Sequence, residues 1–150
     1  MKKFFSFAVA LVACAMVFTS CEVKIDSPLV GSWNHSSTLN LDGVEYEALT
    51  SIYFIDNGQV SYNTSKLEEV IHDNYITEGT WSVDGNKVTF YWQKQCVRHD
   101  GVASYDSSFK ATTEVCPWEI KEVNGRKHLY LTRYQGTEKE FVEEFTSGEL

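Results

Sequence analysis

The cysteines, histidines and clustered carboxylates are the side chains through which this chain could do chemistry. Cysteines stand at 14, 21, 96 and 116, and histidines at 35, 72, 99 and 128. Zinc sites pair their ligands at close spacing, as in Cys-x₂-Cys or His-x₃-His, and no such pair occurs. Asp73 and Asp100 each follow a histidine. Without a third ligand nearby the four histidines read as surface residues, and no metal site is expected. Glu68, Glu69, Glu138, Glu140, Glu143 and Glu144 would suit glycoside hydrolysis only if two of them flanked a cleft. Runs of charge of this kind read as solvated faces. There is no Gly-x-Ser-x-Gly elbow and no Gly-x-x-x-x-Gly-Lys loop, so neither a serine nucleophile nor a phosphate cradle is indicated. The expectation is a non-catalytic protein with no catalytic residue and no cofactor.

The N-terminus gives an address. Lys2 and Lys3 precede an apolar run from Phe4 to Phe18, and small residues lead to Cys21, the three-part pattern of an export signal. The run is shorter than the roughly 20 residues that span a bilayer. Phe18-Thr19-Ser20-Cys21 resembles a bacterial lipobox, of the looser kind found in Bacteroidetes. That resemblance implies removal of residues 1–20, acyl chains of the palmitate type on Cys21, and anchorage to the outer membrane on its periplasmic or surface face. Two chains hold stably where one binds marginally, at about 0.8 kcal/mol per buried CH₂. Cleavage at Ala13-Cys14-Ala15 is the competing reading, and it would leave Met16-Val17-Phe18 on a soluble product.

Thirteen Lys and Arg, less the two in the signal, leave 11 against 21 Asp and Glu, a charge of −10 on the mature chain. Such a surface repels a phosphate backbone, so no nucleic-acid partner is expected. Some 130 residues suit one domain. In an oxidising compartment Cys96 and Cys116 are the remaining pair, and a disulfide between them is expected.

The elements that must position these residues are strands. Asp42-Gly43, Asn57-Gly58, Asp84-Gly85-Asn86, Asp100-Gly101, Asn124-Gly125 and Gln135-Gly136 are turn signals at near-regular intervals. Between them run alternating, β-branched and aromatic stretches such as Lys87-Val88-Thr89-Phe90-Tyr91-Trp92. The reading is eight antiparallel strands, near 30–40, 45–55, 59–64, 74–83, 86–97, 108–122, 127–134 and 138–146, after a tether over 21–28. Ser65–Ile71 reads as a short helix or loop, and Thr137–Phe145 as a closing strand with a helix as alternative. If Cys96 faces Cys116, antiparallel pairing sets Lys94 opposite Trp118 and Trp92 opposite Ile120, with both cysteines on the apolar face. Such a bridge would contribute about 3 kcal/mol.

Leu29-Val30-Gly31-Ser32-Trp33 resembles the Gly-x-Trp opening of the lipocalin-like β-barrels, and Gly79–Phe90 is similar to a hairpin of the small lipocalin-like lipoproteins of Bacteroidetes. The resemblance implies an all-β, eight-stranded meander closed into a barrel over 29–150. It also implies that Trp33 packs across the closed end with Arg133 lying against it. The inward set expected is Trp33, Ile52, Phe54, Trp81, Val83, Val88, Phe90, Trp92, Trp118, Ile120, Leu129 and Leu131, with Phe54, Trp81, Phe90, Trp92 and Trp118 as pocket candidates. An interior of eight strands either holds one small ligand or is filled by side chains. The first case gives a membrane-anchored binder of a small apolar or amphipathic ligand. The second gives a surface platform for protein or glycan contact, using Val97–Tyr105 and the outward residues Tyr53, Tyr62, Tyr75, Tyr91, Tyr105 and Tyr134.

Overall fold

The six turn signals all fall between strands. In the computed structural model, which describes residues 24–67 and 73–148, the strands are β1 (Gly31–Leu41), β2 (Val44–Phe54), β3 (Gln59–Lys66), β4 (Asn74–Asp84), β5 (Lys87–His99), β6 (Val102–Tyr105), β7 (Thr112–Val123), β8 (Arg126–Arg133) and β9 (Phe141–Ser147). No helix occurs among the described residues. The signal, Cys14, Cys21, Glu68, Glu69 and His72 lie outside them. The turn chemistry is what the residue types require: Asp42 and Gly43 have φ of 52° and 83°, the left-handed pair of a tight hairpin.

Neighbouring strands run β4-β3-β2-β1-β9-β8-β7-β5, and β4 pairs with β5, so eight antiparallel strands close on themselves. The seam between β1 and β9 is short, with Trp33 opposite Ser147 and Asn34 opposite Thr146. It is extended by a 2.8 Å bond from Gly148 N–H to the Ser32 carbonyl. The four-residue β6 pairs with the outer half of β5, where β7 does not reach. The strand expected over 108–122 starts only at Thr112, as β7, and Val97–Tyr105 is a hairpin rather than a loop. The strand over Thr137–Phe145 begins at Phe141, the preceding residues forming a turn. Ser65 and Lys66 end β3 as strand, which replaces the helix or loop read there.

Period-two alternation sends one face of each strand inward. Of the inward set, nine residues are buried, and Val83, Trp118 and Ile120 pack half-buried against them. Opposed pairs build the core: Trp33 with Ile52, Phe54 with Val60, Trp81 with Phe90, Leu129 with Phe145. Residues 24–30 run under this end of the barrel. Ile25 N–H bonds the Asp56 carbonyl at 2.6 Å, Leu29 is fully buried, and Trp33 Nε1 donates to the Leu29 carbonyl at 2.8 Å. This end is solid.

The expected disulfide is not formed: Cys96 and Cys116 are both buried free thiols. Two shifts explain it. β5 pairs with β7 so that Val88, not Cys96, faces Cys116, which displaces the cysteines by eight residues, roughly 26 Å of strand. A bulge also interrupts β5, where Gly79 opposes Trp92 but Glu78 opposes Lys94, leaving Gln93 as the extra residue. Beyond a bulge the alternation inverts, so Gln95 turns inward beside Thr77. Cys96 turns to the other face, between Ile76 and Tyr105. Equal parity with Trp92 was no guide to the face of Cys96.

Candidate functional site

Above the apolar layer the interior turns polar. Arg133, at the end of β8, and Glu143, on β9, are 8% and 7% exposed, far from the solvated face expected for the glutamate. Glu114 on β7 shares the parity of Cys116, and Glu143 that of Phe145, so alternation carries both carboxylates inside. Arg133 donates from Nε to Glu114 Oε1 at 2.8 Å and from Nη2 to Oε2 at 2.9 Å, a two-pronged grip. Its Nη1 donates to Glu143 Oε2 at 2.8 Å. The other oxygen of Glu143 meets His35 Nε2 at 2.9 Å and accepts from the Tyr62 hydroxyl at 2.6 Å. His35 is thus part of the interior, not the surface residue expected, and its ring meets Phe145 edge-on at 4.7 Å.

The charges hold one another ionised. Burial pushes Glu114 up, but the bonds and charge of Arg133 outweigh it and hold the carboxyl below its ordinary range. Glu143 is likewise driven up by burial and brought lower by His35, Tyr62 and Arg133. The bond to Glu143 raises His35 against its partial burial. Burial also pushes the Cys116 thiol up to about 12, so it stays protonated at neutral pH and is a poor nucleophile.

A cleft of about 520 Å³ opens beside this network. Its walls include Tyr62, Trp92, Phe109, Tyr134 and Phe141, with Glu114 and Arg133 among them. Tyr62 shares the parity of Val60, but Phe109 and Tyr134 come from places outside the strands, which alternation does not aim. Tyr134 and Phe141 border the β8–β9 turn, where Tyr134 has a φ of 53°. Phe109 is carried inward by the connection between β6 and β7. There Asp106 Oδ1 accepts from Ser108 N–H at 2.8 Å, and the Asp106 carbonyl accepts from Phe109 N–H at 3.3 Å. Tyr62 and Tyr134, read as outward, both face Arg133, whose guanidinium carbon is 5.4 Å and 5.8 Å from their ring centres.

Of the five pocket candidates only Trp92 lines this cleft. Phe54, Trp81 and Phe90 belong to the solid core, and Trp118 borders a separate depression on the outer wall. Arg133 is not paired with Trp33. On β9 the partner of Trp33 is Ser147 and that of Arg133 is Phe141, roughly 20 Å apart along the strand. His99 bonds Asp73, and His128 bonds Glu144 at 2.8 Å, both on the outside. No group of three or more His, Cys, Asp or Glu that could hold a metal occurs among the described residues. No protein-family model matches this chain, and no curated protein matches it.

Proposed function

We propose that this protein is a lipid-anchored, non-catalytic binder that takes a small apolar or amphipathic ligand into the open end of its barrel. The observation that carries the reading is the cleft of about 520 Å³, within the range of about 300–1,000 Å³ usual for small-ligand sites. Five aromatic residues line it beside six polar or charged ones, a composition that gives affinity through area and orientation through hydrogen bonds. The lipocalin-like reading of the barrel supports the same function. Anchorage rests on the lipobox resemblance at Cys21, with the bacterial outer membrane as the address.

Titrating the chain from Glu22 onward with a panel of amphiphiles differing in headgroup is expected to give saturable changes in tryptophan emission, because Trp92 lines the cleft. Phe109→Ala should weaken the response by removing one wall. No change with any member of the panel would end this reading. The anchor has its own measurement: Cys21→Ser is expected to move the protein from the membrane to the soluble fraction, and unaltered retention would count against lipidation.

A second reading is favoured by the outer wall, where Pro117, Trp118, Tyr130 and Val142 border a depression of about 610 Å³. It suits a platform for protein or glycan contact. Its edge is charged, with Glu119 and Lys121, and it lacks the aromatic enclosure of the cleft.

A further inference from the structure

The binding reading leaves the ligand's chemistry open, and the hydrogen-bond inventory of the cleft narrows it. Glu114 has its acceptor positions filled: Oε1 takes Arg133 Nε at 2.8 Å and Tyr134 N–H at 3.4 Å, and Oε2 takes Arg133 Nη2 at 2.9 Å and Trp92 Nε1 at 3.4 Å. A cationic headgroup would find no acceptor there. Arg133 has the opposite balance. A guanidinium carries five N–H donors, and its bonds to Glu114 and Glu143 use one on each nitrogen. Of the two that remain, one on Nη1 and one on Nη2, the Tyr62 hydroxyl takes a share, which leaves one N–H for whatever enters beside it.

Charge then separates two kinds of acceptor. Arg133 faces two carboxylates, so the cluster sums to −1, and protonation of His35 brings it only to zero. A carboxylate ligand must shed its water to enter and would meet no net positive charge in return. A neutral carbonyl oxygen accepts the remaining N–H without that cost. Shape adds a third restriction. Trp92 is stacked on Phe90 with rings 4.9 Å apart and 14° from parallel, and Tyr62 meets it edge-on at 6.4 Å. One broad face of the indole is therefore taken by Phe90 and only 6% of Trp92 is exposed, so a flat ring entering the cleft would pack on Phe109, Tyr134 and Phe141, which line it with the indole's margin.

We propose that the cleft recognises a neutral, ring-shaped amphiphile presenting a carbonyl oxygen to Arg133, and that it discriminates against ligands headed by a carboxylate. The proposal depends on the binding function inferred above. Three probes of one ring system test it on the chain from Glu22 onward, which contains the complete closed sheet: 2-acetylnaphthalene, 2-naphthoate and naphthalene, measured by calorimetry at pH 7.5. The ketone is expected to bind at least about tenfold tighter than the carboxylate, with naphthalene weaker than the ketone. Glu143→Gln keeps a hydrogen-bonding side chain while removing one negative charge, and should bring the two oxygen-bearing probes to within about threefold. Equal affinity of ketone and carboxylate in the unaltered protein would overturn the proposal, as would a ratio unmoved by Glu143→Gln in a protein with native near-ultraviolet circular dichroism. If Glu143→Gln does not fold, the ratio in the unaltered protein decides alone. Binding of naphthalene or 2-naphthoate as tight as that of the ketone overturns the proposal and leaves the binding function standing; binding of none of the three removes both.

Discussion

Arg133→Met is expected to destabilise the protein by about 3–5 kcal/mol in urea denaturation at pH 7, the range for removing one partner of a buried ionic cluster. The substitution keeps much of the volume but leaves Glu114 and Glu143 inside with no cation between them. Most of the loss is the cost of leaving Glu114 without its cation and Glu143 with only His35 and Tyr62, not the net worth of the pairing. Arg133→Met combined with Glu114→Gln and Glu143→Gln is accordingly expected to recover the greater part of it. The pH dependence follows. In the unaltered protein both carboxyls are held below their ordinary 4.5, so their contribution is fully present above that value and is lost as pH falls through the lowered pKa. His35 is raised above 6.5, so its contribution is complete below that value and is lost as pH rises through the raised pKa. In Arg133→Met the carboxyls are pushed up instead, and the deficit should shrink as the pH is lowered towards 5. A loss under about 1 kcal/mol, the scale of an exposed ion pair, would show that the cluster is open to water.

Gly79→Ala should cost about 3 kcal/mol, at the upper end for overpacking, although it adds one methyl group. A Cβ at Gly79 would lie 2.0 Å from the Tyr91 carbonyl oxygen, 2.9 Å from its carbon and 3.0 Å from Trp92 Cα. All three atoms are backbone, so β4 and β5 must separate where the bulge sets the direction of everything beyond it. Gly125→Ala is the control. It has a φ of 77° and nothing within 4 Å, so its cost should be the conformational one alone, about 1–2 kcal/mol. Comparable losses at the two positions would mean that the strands yield easily at the bulge.

The barrel was legible because its signals are local. Asp-Gly and Asn-Gly pairs set the hairpins, and alternation named most of the core from Trp33 to Leu131. The errors came from departures that alternation cannot announce. One extra residue at Gln93 reversed the facing of Cys96, and the β5–β7 register placed Val88 opposite Cys116, which together removed the disulfide. Glu143 was read as solvated because it sits in an acidic run, yet parity with Phe145 put it inside. The same count from Cys116 would have found Glu114. Phe109 had no such signal, since it reaches the cleft from an irregular connection shaped by Asp106.

The path of residues 24–30 also brings the N-terminal end of the described chain to the sealed end of the barrel. They pass beneath Trp33 and the Asn57-Gly58 corner, whereas Phe109, Tyr134 and Phe141 ring the opposite rim. A chain held to a lipid bilayer through its N-terminal end would stand on its sealed base with the entrance turned toward the surrounding fluid. Under the proposed function, cargo would then be loaded from solution and not drawn sideways out of the leaflet underfoot.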